Sequence, residues 1–280
     1  MRISTFVYRN SLKAGIVFEG GYYLFEDLLK DAPETVLEFI KAYENKPLPD
    51  FSDIIKNNSL IPISATEITL CAPIPEPFRD IICLGKNYAD HAKELVQTKL
   101  ATQDDSMIPA APIYFAKSAS PAIGHKGVAP LHSHFTKQVD YEAEIAVIIG
   151  KKAKRIRPEQ VEDVIFGYTI MNDITARDIQ TIYGQWYFGK SLDGFCSLGP
   201  HIVTKDEIPY PVKLDISCRV NGETRQKSNT ELLIYDIPRI ISELSQGMTL
   251  FPGDIIATGT PGGVGHAMQP PSYLKPGDEV

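Results

Sequence analysis

The sequence predicts a globular chain of mixed strands and helices, organised as one large domain behind a small N-terminal one. Three observations support this. Strands that read as buried on both faces recur, the clearest running from Tyr141 to Ile149 and closed by Gly150. Short helical patterns separate the strands, and Pro62, Pro73, Pro75 and Pro77 crowd the segment that would link two units. A length of 280 residues, with 43% hydrophobic and 22% charged content, supplies core enough for both.

In chain order, residues 3–8 and 14–25 read as strands joined around Asn10-Ser11 and Gly20-Gly21, a hairpin-rich start. Glu34 to Glu44 places Val36, Leu37, Ile40 and Tyr43 near one helical stripe, with Pro33 suited to the first turn. A second short helix follows. The proline cluster then sets a boundary near residue 72, giving a small domain over 1–72 and a larger one over 73–280. Asp80 to Leu84 is the next strand, and Asn87 is placed to cap a helix running to Leu95. The polar, aperiodic stretch from Gln97 to Pro112 has the character of a lid loop. His132-Ser133-His134 lies among turns with no third ligand near, and the basic run Lys151, Lys152, Lys154, Arg155 and Arg157 reads as a solvated turn. Val164 to Ile170 is a second buried strand, ending in Met171-Asn172-Asp173 ahead of a helix from Ala176 to Ile182. Pro252-Gly253-Asp254 and Pro276-Gly277-Asp278 each read as a turn feeding a strand, the second of them cut short at Glu279-Val280.

Charge and cysteine usage narrow the function. Lys+Arg 28 against Asp+Glu 35 gives −7, which argues against a nucleic-acid or anionic-membrane surface and for a small-molecule substrate. Cys71, Cys83, Cys196 and Cys218 have no zinc or disulfide spacing and read as buried thiols in a reducing compartment. The first residues contain no apolar run of signal length and no stretch approaches a membrane span, so the expected location is the cytoplasm.

Chemistry concentrates in a few residues. On a strand, Glu142 and Glu144 point the same way. Two carboxylates at the head of a buried strand repel and lose hydration, a cost that protonation, basic partners or a bound cation must offset. An exposed strand end would instead carry them as solubilising charge. Asp173, at another strand end, would complete an all-oxygen triad of the kind magnesium or manganese prefers. His91 and Glu94 share a helical face, which alone describes many solvated helices. Gly184 to Ser191 matches the phosphate-loop pattern, yet it follows a helix and fills its variable positions with Trp186, Tyr187 and Phe188. Lys190 therefore reads as a lone cation beside the acidic cluster. In Thr258 to Gly265, glycines let backbone N–H groups converge on an anion, although tight turns use the same residues.

Five blocks carry a resemblance. They are Gly85-Lys86-Asn87-Tyr88 with His91 and Glu94, Asp140-Tyr141-Glu142-Ala143-Glu144, Gly167-Tyr168 through Asn172-Asp173-Ile174-Thr175-Ala176-Arg177-Asp178, Gly189-Lys190-Ser191 with Asp193, and Ala257-Thr258-Gly259-Thr260-Pro261. In these the chain closely resembles the fumarylacetoacetate hydrolase family, in its branch of acylpyruvate hydrolases, oxaloacetate decarboxylases and hydroxyhepta-dienedioate isomerases. The likeness runs from about residue 80 to the end, while residues 1 to about 72 only loosely resemble a small N-terminal domain that some members carry. It implies an α+β fold around a rolled, mixed β-sheet, a homodimer, and Mg2+ or Mn2+ at the mouth of the sheet. It assigns Glu142, Glu144 and Asp173 to the metal. His91, Glu94 and Lys190 become catalytic, the first two activating water from a mobile lid, and Arg177, Gln185, Gly259 and Thr260 fall to the substrate. Phe188 departs from the family, many of whose members have a basic residue there, and Ser197 follows Cys196 where a proline is common.

The activity so implied is metal-dependent hydrolysis of a C–C bond in an acylpyruvate or related 2,4-diketo acid, through an enolate. Oxaloacetate decarboxylation or a 2-hydroxymuconate-type isomerisation would use the same enolate, so the metal site does not choose among the three. A fold that binds a metal or a 2-oxo acid without turnover is the non-enzymatic alternative, against which His91, Glu94 and Lys190 together argue.

Overall fold

The computed structural model describes residues 1–97, 108–119 and 121–280. At the start, β1 (Arg2–Tyr8) and β2 (Ser11–Phe18) pair antiparallel across Arg9 and Asn10, whose φ angles of 49° and 62° give the mirror-image turn that matches strand twist. Next come β3 (Gly21–Leu24), α1 (Phe25–Leu28), α2 (Val36–Ala42) and α3 (Phe51–Asn57). Helix α2 starts later than Pro33 would set it. The Thr35 hydroxyl accepts the Glu38 N–H and the Glu38 carboxylate accepts the Thr35 N–H, a reciprocal cap that fixes the first turn at Val36. Strand β4 (Ile68–Leu70) then returns to β1.

The later elements are β5 (Ile81–Gly85), α4 (Ala89–Gln97), β6 (Ile113–Lys117), β7 (Val139–Asp140), β8 (Ala143–Ile149), α5 (Val161–Val164) and β9 (Ile165–Asp173). After them come β10 (Thr175–Ala176), α6 (Arg177–Ile182), α7 (Trp186–Lys190), β11 (Cys196–Leu198), β12 (Ile202–Thr204), β13 (Asp215–Val220), β14 (Glu223–Asn229), α8 (Ile237–Gly247) and β15 (Ile255–Ala257). One sheet runs in the order β3-β2-β1-β12-β9-β8-β15-β5-β6, with β11 added to β9 and β4 to β1. Among the described strands of this sheet β15 and β5 pair in parallel and the others antiparallel, so the sheet is mixed, as expected. Ile3 of β1 lies opposite Ile202 of β12, which puts strands from both sides of residue 72 in the same sheet.

Strand β8 is buried along its whole length because both faces of the sheet are covered. Ala146 and Ile148 enter a core shared with Phe25, Phe39 and Phe51, while Ile145, Val147 and Ile149 pack with Ile237, Ile240, Ile241 and Leu244. Those last four recur at the spacing of one helical face on α8, whose first turn is capped by Asp236. No helix among the described residues is long and apolar enough to cross a membrane.

Two local expectations are corrected. The strand begins at Ala143 rather than Tyr141, because the Glu142 N–H donates 3.0 Å to Asn172 Oδ1 instead of continuing the ladder. Strand alternation therefore does not by itself align Glu142 with Glu144. Asn87 does not cap α4: its amide donates to the carbonyls of Tyr235 and Thr258 and accepts the Tyr235 N–H, tying three segments together under the site.

Candidate active site

The start of β8 and the ends of β9, β15 and β5 meet at one end of the sheet, and the charged residues gather there. Glu142, Glu144 and Asp173 are buried, with one carboxylate oxygen from each within 4.8 Å of the others. Their surroundings differ. Lys190 Nζ donates 2.9 Å to Glu142 Oε2, 2.6 Å to Asp173 Oδ2 and 2.9 Å to Thr175 Oγ1. Arg177 Nη1 lies 2.6 Å from Glu142 Oε1, and its Nε donates 2.8 Å to Asp140 Oδ2. The wholly buried Lys117 lies 2.7 Å from Asp173 Oδ1. Helix α7 has only 5 residues, but it ends on Lys190 and so delivers the ammonium to the carboxylates. That is the role in which the phosphate-loop pattern is realised.

Three of four buried carboxylates, Glu142, Asp173 and Asp140, thus pair with Lys190, Arg177 and Lys117, leaving one negative charge without an ion pair among the described residues. It falls on Glu144. Burial, then the nearby Asp173 and Glu142, push its carboxyl well above the usual range; the charge of Lys190 and the Gly259 N–H, 2.7 Å from Oε2, oppose that push without reversing it, and Oε1 has no partner among the described residues. Burial also opposes the charge on Glu142, but Lys190 and Arg177 overcome it and hold that carboxyl well below its ordinary value. Lys190 stays charged for the reciprocal reason: burial lowers its affinity for the proton, and Asp173 and Glu142 more than restore it. An orphaned, buried carboxylate oxygen beside two further carboxylates is what a hard divalent cation satisfies, so these residues fit Mg2+ or Mn2+.

The glycine-rich loop after β15 binds anions as its sequence suggests, but the anions are the protein's own. Gly259 holds Glu144, the Gly263 N–H donates 2.7 Å to Glu94 Oε1, and the N–H groups of Gly265 and His266 hold the two oxygens of Asp140. Gly259 adopts φ 100°, and a Cβ there would come within 2.8 Å of Asn87 Cβ, so a larger residue would displace this anchor.

A cavity of about 110 Å³ opens in front of Glu142, lined by Lys86, His91, Arg177, Trp186, Lys190 and Thr260 among others. His91 is 4% exposed, with Nδ1 3.6 Å from Glu94 Oε2, so the two members of the expected pair are adjacent and His91 lines this space. The Thr260 hydroxyl donates to the Ala143 carbonyl and accepts from Gln226 Nε2. Arg177 lines the cavity with Nη2 unpartnered, while its other nitrogens hold Asp140 and Glu142. Gln185 is the exception. It is exposed at the start of α7, where the chain turns its neighbours Gly184 and Trp186 inward instead. The glutamine that lines the cavity is Gln180, three residues after Arg177 on α6, and that helical spacing was the available signal. Sequence reasoning also passed over Lys117, whose only mark is a charge closing the apolar strand β6, and Gln226, which reaches the site from the separate β13–β14 hairpin. Of the expected lid, residues 98–107 lie outside the described residues.

One end of a mixed sheet thus presents three clustered carboxylates beside a buried lysine and a histidine–glutamate pair. The model of the fumarylacetoacetate (FAA) hydrolase C-terminal family matches residues 80–280, and the chain belongs to that family. Oxaloacetate tautomerase YisK of Bacillus subtilis is 48% identical over 217 residues, 78% of this chain and 70% of that protein. Among solved structures, a fumarylacetoacetate hydrolase from the psychrophile Exiguobacterium antarcticum superposes with a TM-score of 0.83 at 38% identity, covering 99% of this chain and 93% of its own. Maleylpyruvate hydrolase from Sphingobium sp. SYK-6, solved with manganese(II) and pyruvate, gives 0.74 at 30% identity, covering 99% and 92%.

Proposed function

We propose that this chain is a divalent-metal-dependent enzyme acting on a small 2-oxo acid, and that its reaction is proton transfer at the carbon next to the 2-oxo group, as in keto–enol exchange of oxaloacetate. The observation that carries this reading is the placement of His91, buried and beside Glu94, in the same cavity as Glu142 and Lys190. The 48% identity to an oxaloacetate tautomerase supports it. Glu142, Glu144 and Asp173 would hold Mg2+ or Mn2+, which supplies positive charge to bind the carboxylate and 2-oxo oxygens and to acidify the adjacent C–H.

The chain's own groups do the rest. Glu94, fixed by the Gly263 N–H, orients the His91 imidazole, which takes a proton from C3 of the keto form while the 2-oxygen gains one from solvent, or returns one to C3 while the enol hydroxyl gives its proton to solvent. The Lys190 ammonium keeps Glu142 ionised, holds Asp173 by a hydrogen bond and adds positive charge beside the developing oxyanion. Hydrolysis of an acylpyruvate is the second reading, favoured by the same imidazole: from that position it can deprotonate a water as readily as a carbon acid.

Two assays decide between them, each with manganese and then with chelator: ultraviolet decay of enol-oxaloacetate, and pyruvate release from acetylpyruvate. Metal-dependent acceleration of the first that is lost in His91→Ala is expected. Pyruvate release as the only metal-dependent activity would establish the second reading, and no metal-dependent activity on either acid would overturn both.

A further inference from the structure

Lys86 is a buried cation with no anionic partner among the described residues. It follows β5 at φ 54°, a left-handed conformation that lysine seldom adopts, and only 6% of its surface is exposed. It lines the same cavity as His91, Glu142 and Thr260. The other cations there are matched, Lys190 and Arg177 by Glu142 and Lys117 by Asp173. Lys86 makes no ion pair and no side-chain hydrogen bond among the described residues. An ammonium withdrawn from water without a counterion is unfavourable, and a conformation disfavoured for its residue type persists only where the surroundings impose it. Here they do: Trp186 packs so closely on the preceding Gly85 that a Cβ would lie 2.1 Å from its ring. Phe188, by contrast, is 41% exposed and does not line the cavity, so no cation reaches the ligand from that position.

We propose that Lys86 binds the distal carboxylate of the substrate, so that the enzyme selects a dianionic 2-oxo diacid over a 2-oxo monoacid. This rests on the reading of the cavity as a 2-oxo acid site. The carboxylate cluster would take the 2-oxo acid end through a bound cation, and Lys86 offers a second carboxylate a positive charge that is unmatched among the described residues. A buried ammonium–carboxylate contact also discriminates by exclusion, since a ligand lacking the second carboxylate leaves Lys86 unpaired.

The test uses two unreactive ligands that share a 2-hydroxy acid end and differ in the distal carboxylate, L-malate and L-lactate. Each is titrated calorimetrically into the manganese-loaded full chain as wild type, Lys86→Met and Lys86→Arg. The expected result is a malate preference of at least about tenfold in wild type, kept within a few-fold by Lys86→Arg and reduced to about twofold or less by Lys86→Met. The readout is a ratio, so a general loss of affinity in either variant cancels. An undiminished preference in Lys86→Met, or no preference in wild type, overturns the proposal. A Lys86-dependent malate preference in an enzyme that does not accelerate oxaloacetate enol decay would instead leave this assignment standing and remove the proposed reaction.

Discussion

The Lys190 ammonium lies 2.6 Å from Asp173 Oδ2, and the same nitrogen reaches Glu142 Oε2 at 2.9 Å. One internal cation therefore ties together two of the three carboxylates suited to a metal and leaves the third, Glu144, without a cationic partner. A divalent ion bound there would share the neutralisation of one cluster with Lys190.

Lys190→Met should expose that division. Removing one partner of a buried ion pair leaves an uncompensated charge and costs about 3–5 kcal/mol. Denaturant unfolding in chelator should show a loss of that order, and manganese should recover a larger increment in the variant than in wild type, because the ion then replaces the missing charge. Equal manganese increments in the two proteins would mean that the lysine and the metal do not share the cluster.

The three carboxylates should also respond differently to neutralisation. From the sequence alone, removing any one of them relieves repulsion. The structure restricts that to Glu144, whose carboxyl is pushed up by burial and by its acidic neighbours. Glu144→Gln should unfold in chelator at the same or higher denaturant concentration than wild type. Glu142→Ala takes one carboxylate partner from each of Arg177 and Lys190, which keep Asp140 and Asp173, and should lose about 3 kcal/mol. Both should bind manganese at least about tenfold more weakly by calorimetry. Equal destabilisation of the two would contradict the uneven charge distribution.

What could be read in advance, and what could not, follows from the range of the interactions. Glu142, Glu144, Asp173 and Lys190 were legible because charged residues interrupt or close apolar runs, which a single strand or helix cannot explain by itself. The helix caps at Thr35 and Asp236 depend on neighbours three residues away and leave local signals. Lys117 meets Asp173 across 56 positions, and Gln226 meets Thr260 across 34, so nothing near either residue announces its partner. Asn87 misled for a related reason: an asparagine before a helix satisfies the local capping rule, but the tertiary carbonyls of Tyr235 and Thr258 claim its amide. Gln185 and Gln180 lie five positions apart around a turn, and only the direction of α6 shows which one faces inward.

Gln226 offers a test of that long-range support. Fully buried, it accepts the Ala143 N–H at 3.0 Å and donates to the Thr260 hydroxyl and the Pro261 carbonyl at 2.8 Å each. Gln226→Leu fills a similar volume but removes a hydrogen-bond partner from three buried polar groups, of which the Thr260 hydroxyl keeps the Ala143 carbonyl, so a loss of about 1–3 kcal/mol is expected by denaturant unfolding. Because Thr260 lines the cavity, KM should rise more than kcat falls. A stable variant with unchanged KM would show that the hairpin only covers the site.

The last prediction concerns acid sensitivity away from the site. His201 is held by Ser4, whose hydroxyl lies 2.6 Å from Nδ1, and packs near the Tyr22 ring. Burial, and then the positive charges of Arg2 and His125, lower its pKa from 6.5 to about 4. The folded protein therefore keeps His201 neutral through a range in which the unfolded chain has already taken up a proton. The unfolded state then binds more protons, so this residue makes stability fall as pH drops from about 6.5 towards about 4, contributes no pH dependence above that window, and levels off below it. His201→Gln retains a polar partner for Ser4 without titrating, and should flatten the fall in stability across the window while leaving stability near pH 7 within about 1 kcal/mol of wild type. Urea unfolding at half-unit steps between those limits measures the slope directly. A variant whose slope matches wild type would assign the acid sensitivity to the buried carboxylates instead.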